Sequence, residues 1–230
     1  LFFYLFIWVG NFSKDISGPD GVPDGVIDDY DKTNIGSPMP KFTFGWTNTF
    51  RYKNFDLSVF INGSYGNKVY NYLSMKLTHM NSPWTNQLNA VNGRAQLVPI
   101  NPNKVYEDGT MWYNDVSNVM VANPGASIPR ATINDPNDND RISDRYIEDG
   151  SYIRLKNISL GYTFPKKTID KLGLSNLRIY ANIQNLLTIT GYDGYDPEIG
   201  ASTSSVNVYG LDNGRYPSPT VYSFGLNVSF

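Results

Sequence analysis

The sequence predicts an all-β protein built from long antiparallel strands, and three observations support this prediction. Aromatic residues are abundant, with 17 Tyr, 12 Phe and 4 Trp, and aromatic side chains favour strands. The 20 Gly and 14 Pro residues supply many turns. Five segments alternate apolar and polar side chains with a period of two, which is typical of a strand with two different faces.

The alternating segments define five predicted strands. Their apolar rows are Phe42, Phe44, Trp46, Phe50 and Tyr52; Phe55, Leu57, Val59 and Ile61; Ile153, Leu155, Ile158, Leu160 and Tyr162; Leu177, Ile179, Ala181, Ile183, Leu187 and Ile189; and Tyr222, Phe224, Leu226, Val228 and Phe230. In the third row the parity changes after Leu155. This change predicts a β-bulge near Lys156 or Asn157, because one extra residue turns the following side chains to the other face.

The connections between these strands differ greatly in length. A tight hairpin turn is predicted at residues 52–54 and a modest connection at 165–175, whereas 67–150 and 191–219 are long, poor in periodicity and rich in Asn, Asp, Pro and Gly. An antiparallel meander places the short connections at one end and the long loops at the other. This is the pattern of a bacterial outer-membrane barrel, in which the apolar rows face lipid. A soluble sandwich with one buried sheet face explains the alternation equally well.

Composition excludes several classes of function. The net charge of −2 and the absence of a basic run argue against a nucleic-acid partner. With no cysteine and only one histidine, His79, the chain offers neither thiolate nor multi-histidine metal sites. His79 stands in no recognisable nucleophile context, and there is no phosphate-binding glycine loop. We therefore predict that the chain is not an enzyme.

The apolar run LFFYLFIWVG at the start differs from the rest of the chain. It is too short to span a bilayer as a helix, which needs about 20 residues, and it lacks the features of a signal peptide. We therefore treat residues 1–14 as an atypical N-terminal stretch and residues 15–230 as the domain.

Four blocks of sequence carry a family resemblance. They are DGVPDGVIDDYDKTNIGSPMPKFTFGWTNTFRYKNFDLSVFINGSYGN, RYIEDGSYIRLKNISLGYTFP, LRIYANIQNLLTITGYDGYDPEIG and the final YPSPTVYSFGLNVSF. In this order they resemble the C-terminal part of the SusC/RagA family of TonB-linked outer-membrane transporters. The resemblance covers nearly all of residues 15–230, and residues 75–129 are its least distinctive part.

The resemblance implies a fold, a location and partners. It implies a 22-stranded transmembrane β-barrel with an N-terminal plug, in the outer membrane of Gram-negative bacteria of the Bacteroidetes type. Such proteins serve polysaccharide utilisation: with a SusD-like surface lipoprotein as lid, they import glycans, and in some cases peptides, using energy from TonB. Phe230 resembles the end signal read by the barrel-assembly machinery. The chain supplies about five strands and neither the plug nor the TonB-contacting segment, so it is expected to be incomplete as a barrel and not to transport alone.

The segment DGVPDGVIDDYD predicts a calcium site. Calcium takes several oxygen ligands around a tight loop with a glycine at its sharp turn, which is Gly25 here. The ligands expected from the spacing of an EF-hand-like loop are Asp20, Asp24, the carbonyl of Val26, Asp28 and Asp31. Val22 stands at the third position and offers no side-chain oxygen. The alternative is an acidic external loop with two Asp-Gly turns, and no other cofactor is expected.

Side chains of the long loops are candidates for contact with substrate or with the lid protein. They are Trp84, Trp112, Tyr192, Asp193, Tyr195 and Asp196. Tyrosine rings stack on sugars and carboxylates bind sugar hydroxyls, although loop tyrosines beside acids also serve purely structural roles. The run NDPNDND at residues 134–140 is interpreted as a solvated loop rather than as a second ion site. The alternative function is a soluble, calcium-stabilised β-sandwich that binds carbohydrate.

Overall fold

The fold was analysed in a computed structural model that describes residues 14–115, 117–133, 135, 138–198 and 209–230. The atypical N-terminal stretch, apart from Lys14, lies outside the described residues. The chain forms two compact units. We call Gly36–Tyr70 with Glu148–Phe230 the sheet unit, and Leu1–Ile35 with Asn71–Ile147 the loop unit.

The described part of the chain is mostly strands and loops. The strands are β1 (Phe42–Tyr52), β2 (Phe55–Tyr65), β3 (Lys68–Asn71), β4 (Leu97–Pro99), β5 (Val119–Val121), β6 (Ile147–Asp149), β7 (Tyr152–Thr163), β8 (Asn176–Thr190), β9 (Leu211–Asp212) and β10 (Val221–Ser229). The α-helices are α1 (Tyr72–Thr78) and α2 (Lys166–Ile169), and single 3-10 turns cover Asp29–Asp31, Asn89–Gly93, Trp112–Asn114, Asp144–Tyr146 and Asp170–Leu172. No helix among the described residues is long and apolar enough to cross a membrane.

The five predicted strands are confirmed and form one open antiparallel sheet in the order β1-β2-β7-β8-β10. Their apolar rows lie on the same face, because the registers align them across all five strands. One such row runs through Tyr52, Phe55, Tyr162, Ile179 and Leu226. Large apolar side chains on this face are widely exposed in the sheet unit. The sheet therefore presents a continuous apolar surface that is largely exposed.

The predicted β-bulge is confirmed at Lys156. The register between β7 and β8 shifts between Leu155 and Asn157, and the register between β2 and β7 shifts at the same place, between Phe60 and Ile61. Lys156 is the extra residue relative to β2, whereas two residues of β8, Asn185 and Leu186, stand opposite it. The bulge keeps the apolar row of β7 on one face despite the change of parity in the sequence.

The prediction that the short connections lie together at one end of the sheet is also confirmed. The turn between β1 and β2 has two residues, and the first of them, Lys53, has a φ of 53°. At the same end, the Asn54 side-chain amide donates to the Thr163 carbonyl over 2.6 Å, and the Ser175 N–H donates to the Ser229 carbonyl over 2.8 Å. The β1–β2 turn, the connection after β7 and the end of β10 thus lie at one end of the sheet.

The long connection at 67–150 contains more regular structure than the sequence predicts. It holds α1 and the β4–β5 hairpin, whose elements are too short for a hydrophobic period to show. Asn71 caps α1 by accepting a hydrogen bond from the Ser74 N–H over 2.9 Å. Apolar residues buried in the loop unit are Met75, Ala95, Val119, Ile128 and Tyr146.

Candidate functional site

An ion cluster lies beside the long-loop end of β7 in the sheet unit. Arg154 is only 3% exposed, and its guanidinium binds two acids of the loop that follows β8. Its Nη2 lies 2.5 Å from Asp196 Oδ1, and its Nη1 lies 2.7 Å from Glu198 Oε2. Lys156, the bulge residue, binds the same Glu198 oxygen over 2.6 Å. The bulge therefore places a second cation on this loop.

Asp196 is the centre of the cluster. Burial favours the neutral form of its carboxyl, but the hydrogen bond from Arg154 and the backbone N–H groups of Ser218 and Glu198 favour the charged form. These donors outweigh burial, so the pKa of Asp196 is lowered. The carboxylate thereby ties the loop after β8 to the segment that leads into β10.

Tyr192 and Asp212 make a second buried contact in the same loop. The Tyr192 hydroxyl donates to Asp212 Oδ2 over 2.6 Å, while Asp212 Oδ1 accepts from the backbone N–H groups of Gly214 and Arg215. Burial, followed by the contact with the Asp212 carboxylate, raises the pKa of Tyr192 well above its ordinary value. This tyrosine is therefore a neutral hydrogen-bond donor at physiological pH.

A groove of about 540 Å³ lies next to the ion cluster, entirely within the sheet unit. We define the groove by the side chains that give it its chemistry, which are Tyr152, Lys156, Glu198, Tyr209, Arg215 and Tyr216. The Tyr216 ring is 84% exposed. Aromatic faces beside charges of both signs suit ligands that combine flat or ring-shaped surfaces with polar groups, such as oligosaccharides and peptides.

The structure places the six predicted contact residues in different settings. Tyr192 and Asp196 are buried and engaged within the protein, whereas Asp193 and Tyr195 are exposed in the same loop of the sheet unit. Trp84 and Trp112 belong to the loop unit. The Trp84 side chain is 93% exposed, whereas Trp112 is half-buried and packs edge-on against Tyr113.

Sequence reasoning missed the groove residues on β7 and before β10. The available signal was the presence of Arg154 and Lys156 in a strand that is otherwise apolar on one face and neutral on the other. A cation inside such a strand needs an acidic partner when it is buried. The partner acids lie 42 and 44 residues further along the chain, so their identity was not readable from spacing.

The proposed calcium loop lies in the loop unit, where Asp31 binds backbone donors. Its Oδ1 accepts from the N–H groups of Ile16 and Ser17 over 2.6 and 3.0 Å, and its Oδ2 accepts from the Asp28 N–H over 2.9 Å. The hydrogen bonds from Asp28 and then Ile16 lower the pKa of Asp31. The Asp31 carboxylate therefore closes the loop by binding backbone N–H groups of other loop residues.

Two other proposed calcium ligands make short-range turns. Asp24 Oδ1 accepts from the Val26 N–H, and Asp28 Oδ1 accepts from the Tyr30 N–H. Within the part of the chain that the structure describes, no three of the four aspartates bring carboxylate oxygens within 4.8 Å of one another. The geometry favours the interpretation as Asp turns, and the calcium ligand set stays a prediction.

The interpretation of residues 134–140 as a solvated loop is wrong for two of them. Asp135 and Asn139 are buried. The Asn139 side-chain amide donates to Asp135 Oδ1 over 3.0 Å, and His79 lies beside the same carboxylate. The contact with His79 joins positions far apart in the sequence, which composition alone does not reveal.

Comparisons with known proteins relate the chain to one group of receptors. No family model matches it. It is 34% identical over 226 residues to TonB-dependent receptor P3 of Formosa agariphila, which covers 96% of this chain and 19% of that protein. It is 33% identical over 215 residues to TonB-dependent receptor P26 of the same species, covering 90% and 19%. It is 29% identical over 210 residues to TonB-dependent receptor SusC of Bacteroides thetaiotaomicron, covering 90% and 17%.

Solved structures agree on the fold. The chain superposes on a structure of the RagAB peptide transporter with a TM-score of 0.69 and 19% identity, covering 97% of this chain and 21% of that chain. For the closed-closed state of the RagAB peptide importer, the TM-score is 0.67 at 19% identity, with coverage of 97% and 22%. The chain thus spans about one fifth of the length of the curated relatives it matches.

Proposed function

This chain belongs to the SusC/RagA family of TonB-dependent receptors, and we propose that it forms C-terminal strands and extracellular loops of an outer-membrane importer. The parent protein takes up oligosaccharides, with a SusD-like lipoprotein as its lid and TonB as its source of energy. The chain itself supplies part of the barrel wall and part of the substrate path. It is not an enzyme.

The observation that carries this proposal is the continuous exposed apolar face of the five-stranded sheet. Phe224 on β10 is 84% exposed, and the rows that cross the sheet join it to apolar side chains of the other four strands. In water, an apolar surface of this kind is costly. Against lipid hydrocarbon it is favourable, because the tails replace water at every ring and branched side chain.

The sheet edges support the same proposal. Among the described residues, β1 and β10 each pair with only one neighbour in this sheet. A membrane leaves unpaired backbone groups unsatisfied, so both edges must meet further strands of the parent barrel. A soluble sandwich, the alternative function, would instead bury the apolar face against a second sheet. Large side chains of this face are exposed, among them Trp46, Phe224 and Leu226, although the described residues also form the smaller sheets β6-β3-β9 and β4-β5.

The opposite face and the groove supply the polar path. The face opposite the apolar rows carries Asn, Ser, Thr and charged side chains, and the groove adds aromatic rings at its long-loop end. This combination supports an oligosaccharide substrate, since sugars stack on rings and bind carboxylates and guanidinium groups. A peptide is the second candidate, favoured by the fold shared with the RagAB peptide transporter and by the charges of both signs in the groove.

Uptake by the full-length receptor in its own outer membrane tests the proposal. Cells expressing it take up labelled oligosaccharides or oligopeptides in a saturable manner, and depletion of TonB abolishes this uptake. Tyr216→Ala, in the groove, is expected to raise the half-saturation concentration several-fold. Tyr30→Ala is the matched control, because Tyr30 is an exposed tyrosine outside the groove. Uptake that ignores TonB, or equal effects of the two substitutions, would contradict the proposal.

A further inference from the structure

Three side chains of the loop unit converge at one point near the end of α1. His79 follows α1 directly, and its side chain is 8% exposed. Its Nε2 lies 3.7 Å from Oδ2 of Asp135, whose side chain is 11% exposed. With Asp140, these residues offer one nitrogen and two carboxylate oxygens that all lie within 4.8 Å of one another. Helix and loop thus direct three ligand atoms to one place.

A second observation points independently to a ligand at this place. Nε2 of His79 is buried, and within the described ranges it has no hydrogen-bond partner. A buried imidazole nitrogen without a partner costs free energy, so native proteins pair such groups or give them a ligand. Imidazole nitrogen is the commonest metal ligand among protein side chains.

The loop holds the Asp135 carboxylate in place through hydrogen bonds of its own. Asp135 Oδ1 accepts from the Asn139 side-chain amide over 3.0 Å, and Asp135 Oδ2 accepts from the Asp140 N–H over 3.2 Å. The Tyr146 hydroxyl in turn donates to the Asn139 carbonyl over 3.4 Å. Hydrogen bonds of this kind orient the ligating side chains of a metal site and increase the affinity of the site for its metal.

We propose that His79, Asp135 and Asp140 bind a divalent transition-metal ion of the zinc class. One imidazole with two carboxylates suits zinc better than calcium, which prefers oxygen ligands alone. With metal–ligand bonds of about 2.1 Å, the 3.7 Å separation corresponds to a ligand–metal–ligand angle of roughly 120°. Tetrahedral zinc with such bonds holds its ligand atoms about 3.4 Å apart, and the three atoms here lie within 4.8 Å of one another, so no pair needs to close by more than about 1.4 Å on binding.

The bound ion would join the loop containing Asp135 and Asp140 to the end of α1. Three protein ligands leave one position for water, and the ion would act by holding these two segments together. The site shares no residue with the groove, so the proposal does not depend on the function proposed above.

Zinc titration of the full-length receptor tests this proposal. The receptor is purified in detergent, stripped with a chelator and titrated with zinc chloride in competition with a chromophoric chelator. Wild type is expected to bind one equivalent of zinc at this site. His79→Gln is expected to bind zinc there with an affinity at least tenfold lower than that of wild type. Asp138→Asn is the matched control, because Asp138 is an exposed acid of the same loop outside the cluster and is expected to leave zinc binding unchanged.

Equal zinc binding by wild type and His79→Gln overturns the proposal, as does equal loss in His79→Gln and Asp138→Asn. If His79→Gln does not assemble, zinc X-ray absorption of the wild-type receptor decides. A shell containing one imidazole and carboxylate oxygens supports the site. A shell of oxygens alone, or the absence of bound zinc, refutes it.

Discussion

The Arg178 guanidinium on β8 reaches across β7 to the Asp56 carboxylate on β2, with Nη2 and Oδ2 2.6 Å apart. Neighbouring strands are about 4.8 Å apart, so this ion pair spans two strand spacings on the polar face. Gly161 on β7 lies directly opposite Asp56, and a Cβ at this position would meet Nη2 of Arg178 and, at 2.6 Å, Oδ1 of Asp56. The missing side chain of Gly161 makes the contact between β2 and β8 feasible.

Substitution of Gly161 is therefore expected to destabilise the receptor. Gly161→Ala displaces the flexible ends of Arg178 and Asp56 and weakens this partly exposed ion pair, at a cost of up to about 1 kcal/mol. The measurement is the denaturation midpoint of the full-length receptor in detergent. Gly191→Ala is the control, because a Cβ at Gly191 meets nothing within 4 Å. A midpoint for Gly161→Ala equal to that of Gly191→Ala would show that the close approach is unimportant.

Asp196→Asn is expected to loosen the loop after β8 at neutral pH. Loss of one partner from a buried ion pair usually costs about 3–5 kcal/mol of stability. The loss of stability expected for Asp196→Asn falls at or below the lower end of this range, because Glu198 still binds Arg154. Hydrogen exchange of residues 192–198 should accelerate, while Asp193→Asn, an exposed acid of the same loop, leaves it unchanged.

The same aspartate makes the loop sensitive to acid. Its pKa is lowered in the folded state, so its stabilising contribution is present above the unfolded value of about 3.9 and is lost as pH falls through the folded value. In wild type, protection of residues 192–198 from hydrogen exchange should therefore be lost over this acidic pH range. In Asp196→Asn, the exchange of these residues should not change over the same range. Parallel pH profiles for the two proteins would contradict this assignment.

Asp31→Asn is expected to open the loop around residues 16–31, because Asp31 accepts three backbone hydrogen bonds. Limited proteolysis of the full-length receptor should cut this loop faster in the variant. Asp20→Asn distinguishes the two interpretations of the segment, since Asp20 is a ligand only if calcium binds. We expect Asp20→Asn to behave as wild type with and without calcium. Calcium protection of wild type that Asp20→Asn abolishes would instead establish the ion site.

Deletion of Phe230 from the full-length receptor is expected to reduce its assembly in the outer membrane. The Phe230 ring is 93% exposed and continues the apolar row of β10, so it is available to the assembly machinery. Immunoblots of outer-membrane fractions measure the folded receptor. Ser229→Ala, which changes the neighbouring polar position, serves as control. Unchanged levels after the deletion would refute the role of Phe230 as a signal.

Local features of this fold were predictable from the sequence, and contacts between distant segments were not. Period-two alternation fixes the five strands, and a change of parity marks the bulge at Lys156, because both act between neighbouring residues. The ion pair between Arg154 and Asp196 depends on how the loop after β8 folds back on the sheet, and local spacing does not encode this. The meeting of His79 with Asp135 has the same origin.

A measurement of whether the apolar face of the sheet contacts lipid tests the central claim most directly. Because the chain has no cysteine, single cysteines can be introduced at Phe224 and Ser223 in the full-length receptor, after removal of any cysteines elsewhere, and labelled with a fluorophore. In bilayers containing lipids with a quencher on the acyl chain, the label at Phe224 is expected to be strongly quenched and the label at Ser223 to be spared. Equal quenching at both positions, or quenching at Ser223 alone, would contradict a lipid-facing apolar row.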